Sequence, residues 1–101
     1  MLQQKIKQLA AKYKSEFIDV RHHLHANPEL SYQEFETSKY IQSTLALYGI
    51  PCSVMATTGV VAIIEGKNPQ SRVIALRADM DALPITEENN ISYKSTKPGI
   101  M

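Results

Sequence analysis

The sequence predicts an α/β fold with elements in the order α-α-β-β-β. Three observations support this class. Apolar residues recur at helical spacing over the first half of the chain, short β-branched runs replace that spacing after Pro51, and one of these runs ends in two acids. A chain of 101 residues is long enough for one small domain with one modest core.

The first predicted helix carries a single apolar stripe. Its residues are separated by three or four positions: Leu2, Ile6, Leu9, Tyr13, Phe17, Val20 and Leu24. We expect this helix to end near Ala26, because Pro28 disfavours helical geometry at the residue before it. Such a stripe could also form a coiled-coil seam, but its aromatic residues are bulky for one. A helix lying across a sheet is therefore the preferred interpretation.

A second helix is predicted between Ser31 and Gly49. The run S-Y-Q-E resembles a capping box, with Ser31 as N-cap and Glu34 three residues later. Gly49 is expected to end the helix, and Pro51 prevents its continuation. The two helices should form an α-hairpin with arms of unequal length.

Two short strands are predicted next. Residues 52–57 alternate weakly, Thr58 and Gly59 suggest a turn, and residues 60–65 form an apolar run. Cys52 is the only cysteine, which excludes an internal disulfide and agrees with a reducing compartment. We interpret it as a small structural residue of the first strand.

The third predicted strand is the stretch around which the chain is organised. Residues 73–76 are aliphatic and bounded by turn signals, which indicates a buried strand. Asp79 and Asp81 follow two residues apart, so both carboxylates would leave the same face if the strand continued. Ligands of open α/β sheets bind beyond the carboxyl ends of strands. The alternative is that the two acids merely end the strand and open a turn fixed by Pro84.

Composition excludes several classes of function. The 11 basic residues are offset by 10 acids and do not cluster, so nothing indicates nucleic-acid binding. No apolar run approaches the roughly 20 residues of a membrane-spanning helix. The N-terminus lacks the apolar region of a secretory signal, and we expect a cytoplasmic protein.

The histidines of R-H-H-L-H suggest a metal site at first sight, since His22 and His25 could share a helix face. No cysteine or acid nearby has the spacing of a third ligand. We therefore interpret these histidines as structural or surface groups at a helix end, with at most one turned inward.

Four motifs, in this order, closely resemble the start of a known family. They are R-H-H-L-H-A-N-P-E-L-S-Y-Q-E, T-G-V-V-A-I-I-E-G, I-A-L-R-A-D-M-D-A-L-P-I-T-E-E and K-P-G-I-M. The family is that of the metal-dependent aminoacylases and carboxypeptidases, in the branch with hippurate hydrolases, N-acyl-amino-acid amidohydrolases and auxin-conjugate hydrolases. The resemblance covers residues 20–101, and L-R-A-D-M-D-A-L-P is specific to this branch.

The resemblance implies that residues 1–101 form the N-terminal portion of an α/β sandwich catalytic domain, with the rest of that domain and a dimerisation domain outside this chain. Such enzymes hydrolyse the amide of small N-acyl amino acids with two divalent ions, zinc or manganese, and a glutamate that shuttles a proton. A homo-oligomer is expected, and nucleic acid and membrane partners are not. The metal ligands are expected in an H-A-C-G-H-D run after Met101, with none in this chain.

The site residues that the resemblance transfers are few. Asp81 matches an acid that orients the metal site, and Asp79 and Arg77 are weaker candidates beside it. His25 matches the family pattern R-x-x-L-H-x-x-P-E-L, with an expected role in packing and hydrogen bonding at the helix end. The alternative hypothesis is a truncated, non-catalytic α/β module that acts only in self-association or binding.

Overall fold

The computed structural model describes all 101 residues and contains two helices followed by a β-hairpin. The elements are α1 (Leu2–Ala26), α2 (Phe35–Leu47), β1 (Cys52–Met55) and β2 (Gly59–Ala62). The predicted order of two helices and two antiparallel strands is confirmed. The third strand is absent.

Helix α1 ends at Ala26, as the sequence predicts. The Asn27 side chain donates to the His23 carbonyl at 2.8 Å, and the Asn27 backbone N–H donates to the same oxygen at 3.1 Å. The apolar stripe does not lie across a sheet over most of its length: Leu2 is 73% and Phe17 is 55% exposed. Neither helix is long and apolar enough to cross a membrane.

Helix α2 begins later than predicted, and the capping box at Ser31 does not form. Ser31 lies in a turn, and the N-cap is Glu34, whose side chain makes no capping hydrogen bond. The Glu29 carboxylate caps the helix instead. It accepts hydrogen bonds from the Thr37 backbone N–H and hydroxyl, and from the Glu36 backbone N–H at 3.2 Å.

The opposite end of α2 agrees with the prediction. The C-cap is Tyr48, and Gly49 follows it with φ of 68°, a conformation that glycine adopts without steric cost. The pair of helices makes side-chain contact near this end, where the Tyr48 hydroxyl donates to the Glu16 carboxylate at 2.6 Å.

The hairpin pairs Cys52 with Ala62 and Met55 with Gly59 in antiparallel register. Its strands are shorter than predicted, and its turn precedes the predicted Thr58-Gly59 position. Ala56 and Thr57 supply the turn with φ of 51° and 73°. Gly59 is required there, because a Cβ atom would lie 2.8 Å from the Met55 carbonyl oxygen.

The prediction of a buried strand at residues 73–76 is wrong. This segment has no regular secondary structure, and Val73 is 90% and Leu76 is 96% exposed. A strand exists only where a neighbouring strand accepts and donates its backbone hydrogen bonds. Strand β2, the candidate neighbour, pairs with β1 alone.

The predicted apolar core is also absent. Pro28 is the only buried apolar residue, and no aliphatic or aromatic side chain is buried. The buried polar residues are Glu34, Thr37, Ser38, Thr58 and Glu87. The Cα radius of gyration is 16.1 Å, against about 13 Å for a compact domain of this length. Hydrogen bonds among polar groups, more than apolar burial, therefore hold the parts of this chain together.

One such contact joins the hairpin to α2. The Thr58 hydroxyl donates to the Glu34 carboxylate at 2.8 Å, and both residues are buried. The hydrogen bond from Thr58 lowers the pKa of Glu34, because it stabilises the ionised carboxylate. The N-terminus of α2 is thus fixed to the turn of the hairpin.

Candidate functional site

The two predicted site acids lie on an exposed, irregular segment. Arg77 forms an ion pair with Asp79, with its Nη2 atom 3.2 Å from Oδ1 and its Nε atom 3.3 Å from the same oxygen. Asp81 is also exposed. The structure does not place the two carboxylates at the tip of a buried strand, so their assignment to a site stays a prediction.

The backbone directly after the acids is held in place. The Ala82 N–H donates to the Glu29 carbonyl at 2.8 Å, and Leu30 and Ala82 form an isolated parallel bridge. The segment that follows α1 therefore runs alongside the segment that carries Asp79 and Asp81.

The last residue of the chain lies beside the same segment. The Leu83 N–H donates to the Met101 carbonyl at 2.8 Å, and the Met101 N–H donates to the Leu83 carbonyl at 3.1 Å. This reciprocal pair closes residues 83–101 into a loop, which we name the closed loop. Asp81 is two residues from its neck, so Met101 is held near the acids.

Glu87 is the most buried side chain of the closed loop. The residue is 4% exposed. Its two oxygens lie 2.8 and 3.0 Å from Nε2 of His25, and Oε1 also accepts the Ser95 backbone N–H at 2.8 Å. A carboxylate only accepts, so Nε2 carries the proton. The hydrogen bond from His25, followed by that from Ser95, lowers the pKa of Glu87.

All three histidines of the R-H-H-L-H run contact other residues, and His22 and His25 share Tyr93 as a partner. His22 stacks on Tyr93 with ring centroids 3.7 Å apart, and His23 stacks on Tyr40 of α2 at 3.8 Å. His25 makes the hydrogen bond expected at the helix end, with Glu87 as its partner. At most one of these histidines is expected to turn inward. The structure differs, since two of the three are half-buried.

The side chains present do not fit a metal pair. No group of three or more His, Cys, Asp or Glu residues is arranged so that it could hold a metal ion. Asp79 is paired with Arg77, His25 is occupied by Glu87, and Cys52 is a half-buried residue of β1. A dinuclear centre of the kind implied by the resemblance would need ligands beyond these residues.

Sequence reasoning missed two of the structurally central acids. Glu87 belongs to the run I-T-E-E, where its local pattern suggests only a polar turn. Glu29 lies eight residues before Thr37, farther than any helix-capping pattern extends. The only available signal was their place inside two of the motifs shared with the family.

Comparison with known proteins finds relatives of the chain. No protein-family model matches the chain. The chain is 45% identical over its full length to an N-acyl-L-amino acid amidohydrolase of Geobacillus stearothermophilus. It is 42% identical over 85% of its length to an N-acetyldiaminopimelate deacetylase of Limosilactobacillus reuteri. It spans 27% and 24% of these two relatives.

Two solved structures are similar to the chain in sequence and in the path of the backbone. A Bacillus subtilis protein described as a dinuclear metal-binding peptidase of the M20 family matches 90% of the chain with a TM-score of 0.84 and 41% identity. A Staphylococcus aureus protein matches the whole chain with a TM-score of 0.89 and 36% identity. The chain covers 26% and 27% of these structures. In sequence and in fold, the chain is therefore homologous to a segment of amidohydrolases and M20 peptidases that makes up about a quarter of their length.

Proposed function

We propose that this chain is the part of a metal-dependent amidohydrolase that carries the D-M-D acids, and that the longer protein hydrolyses the amide of N-acyl amino acids. The N-acyl amino acid and the N-acetyldiaminopimelate named in two relatives share an amide between an acyl group and an amine. Residues 1–101 are then the N-terminal portion of the catalytic α/β domain. The protein is expected to act in the cytoplasm on small molecules.

The observation that carries this proposal is the reciprocal hydrogen bonding of Leu83 and Met101. It holds the end of the chain beside Asp81, so residues that follow Met101 in a longer protein start near the acids. The ligands for two zinc or manganese ions, expected in an H-A-C-G-H-D run, would come from there. In this proposal Asp81 orients that site, with Asp79 and Arg77 beside it.

The test is the substitution Asp81→Asn in the longer protein that contains this chain. Removal of a carboxylate that orients metal ligands lowers activity or metal affinity about 10- to 100-fold. We expect a loss of that size in kcat/KM for N-acyl amino acids, and a lower metal content by elemental analysis. Asp19→Asn, an exposed change on α1, is the matched control and should leave both unchanged.

Two outcomes contradict the proposal in different ways. If the metal-loaded wild type hydrolyses none of a panel of N-acyl amino acids, the proposed function is wrong. If the wild type is active and Asp81→Asn retains full activity and metal content, the function stands and the role of Asp81 is wrong.

A specific observation favours a second candidate, self-association of a non-catalytic module. The exposed apolar run includes Val73, Ile74 and Leu76, and its backbone lacks a strand partner. Unpaired extended segments with apolar side chains promote association between chains. This candidate needs no metal, and the homo-oligomer it predicts can be measured directly.

A further inference from the structure

We propose that Glu87 is a positioning residue: held by His25, it fixes the neck of the closed loop and thereby the location of Asp81 relative to Met101. We name His25, Glu87 and Ser95 the Glu87 latch. The inference rests on the proposed function for its effect on activity. Its structural part is independent of that function.

Inside the closed loop, Ser95 links Glu87 to the neck. The Ser95 N–H donates to the Glu87 carboxylate at 2.8 Å, and the Ser95 hydroxyl lies 2.6 Å from the Ile100 carbonyl. Ile100 precedes Met101, which pairs with Leu83 at the neck. Glu87 is therefore joined to the neck through Ser95 and Ile100, by hydrogen bonds that are all present at once.

The closed loop is attached to the C-terminal end of α1 by several side chains. His25 reaches Glu87, Tyr93 stacks on His22, and Thr96 donates to the Ala26 carbonyl with its N–H at 2.9 Å and its hydroxyl at 2.8 Å. The last turn of α1 leaves carbonyls without helical partners, and Thr96 satisfies one of them. The helix end is thus the support on which the closed loop rests.

Loss of the Glu87 carboxylate would break several hydrogen bonds of the closed loop at once. Both carboxylate oxygens are occupied, since Oε2 also receives the Asn89 amide at 3.4 Å in addition to His25. Removing the carboxylate leaves the Ser95 N–H and the His25 Nε2–H without an acceptor at a site that is almost closed to water. The loop would have to move or hydrate these groups, and the contacts of Ser95 with Ile100 would change with them.

Motion of the neck would reach the acids through the backbone. Asp81 is followed directly by two backbone attachments, Ala82 to Glu29 and Leu83 to Met101. Glu87 itself need not touch Asp81. A displacement of the neck alters the distance between Asp81 and whatever follows Met101, and activity is sensitive to displacements of this kind.

The experiment measures backbone hydrogen exchange in the longer protein that contains this chain. Glu87→Ala is compared with Glu88→Gln, a neighbouring acid that is exposed. We expect Glu87→Ala to accelerate exchange at Leu83 and Met101 as well as at Ser95, and Glu88→Gln to accelerate none of them. Acceleration confined to residues 87–96 would overturn the proposal, because a purely local role of Glu87 predicts that result.

Activity gives the second readout. We expect Glu87→Ala to lower kcat by about tenfold or more per folded enzyme, with a smaller change in KM. Glu87→Gln should recover most of this loss, since the Gln carbonyl can accept from Ser95 and His25. Full kcat in Glu87→Ala would overturn the positioning role.

Two further variants keep the test decisive. If Glu87→Ala does not fold, His25→Ala removes the same contact from the helix side and His25→Gln, which retains a donor, should reverse its effect. If the wild type is inactive on every N-acyl amino acid, the proposed function fails. Hydrogen exchange at the neck then still decides whether the Glu87 latch exists.

Discussion

Residues 73–80 and the closed loop are both almost without regular secondary structure, yet they are held in very different ways. The first stretch exposes its aliphatic side chains, and its one ion pair, Arg77 with Asp79, is on the surface. The closed loop buries Glu87 and is attached to α1 and to its own neck by hydrogen bonds.

The difference lies in what each stretch requires from the rest of the molecule. An aliphatic run gains free energy only when another apolar surface covers it, and a strand needs a neighbour for its backbone. A buried carboxylate with three donors around it is satisfied by a few residues that are already present. The closed loop can therefore be ordered by contacts within these 101 residues. Residues 73–80 need contact with another surface to become ordered.

The largest expected effect concerns self-association through the apolar run. We expect the 101-residue chain to associate at high concentration. The double change Ile74→Lys with Leu76→Lys should reduce this association strongly, because charges on this exposed, unpaired segment oppose pairing. Sedimentation velocity is the measurement. Thr86→Lys, an exposed change within the closed loop, is the control. A wild type that sediments only as a monomer would contradict this prediction.

The next effect is a dependence of the stability of the closed loop on pH. The pKa of Glu87 is lowered in the folded state from its ordinary value of 4.5. Its contribution to stability is therefore complete above that value and is lost as the pH falls through the folded-state pKa. We expect thermal unfolding of the wild type to shift to lower temperature on acidification more than that of Glu87→Gln.

Equal shifts in the two proteins would show that Glu87 is not the group responsible. Glu29 and Glu34 also have lowered pKa values and contribute in the same direction. Partial burial works to raise the pKa of Glu29, and the hydrogen bonds from Thr37 and Glu36, together with the charge of Lys97, outweigh it. Only the difference between wild type and Glu87→Gln in the shift of the unfolding temperature reports on the closed loop alone.

A smaller effect is expected at the cap of α2. Glu29→Ala removes the acceptor of two N-terminal N–H groups, which costs about 1 kcal/mol of unfolding free energy. Ser31→Ala, at the cap that the sequence suggests, should change that free energy by less than about 0.5 kcal/mol. Urea unfolding followed by circular dichroism measures both. The reverse order would mean that Ser31, not Glu29, caps the helix.

The smallest effect is expected on the exposed stretch. Arg77→Ala removes an ion pair between two exposed side chains, and such pairs contribute about 0–1 kcal/mol, often nothing measurable. We expect an unchanged unfolding midpoint within error. A clear loss of stability would show that residues 73–80 are held by more than their surface contacts.

Local sequence patterns predict those elements that depend on local interactions. Pro28 marks the end of α1, Gly49 marks the end of α2, and the change of pattern after Pro51 locates the hairpin. The resemblance of four motifs predicts homology to this family, and the comparisons confirm that homology. The assignment of Asp79, Asp81 and Arg77 to a site stays a prediction.

Other features depend on contacts between distant residues, and local patterns are misleading there. S-Y-Q-E has the form of a capping box, but Tyr32 adopts a φ of 65° in a turn and the helix starts four residues after Ser31. The run at residues 73–76 has the composition of a buried strand, yet composition cannot supply the neighbouring strand that would bury it.

The sequence by itself determined the family that the chain resembles, the order of the helices and the hairpin, and the places where proline and glycine end the helices, because these follow from local geometry and shared motifs. Only the tertiary structure decided that Glu29 caps α2, that Glu87 is held by His25 and Ser95, and that Met101 lies beside Leu83. Each of these contacts joins groups separated by 8 to 62 positions in the chain. A hydrogen bond over such a separation is fixed by the path of the backbone in space, which no local pattern encodes.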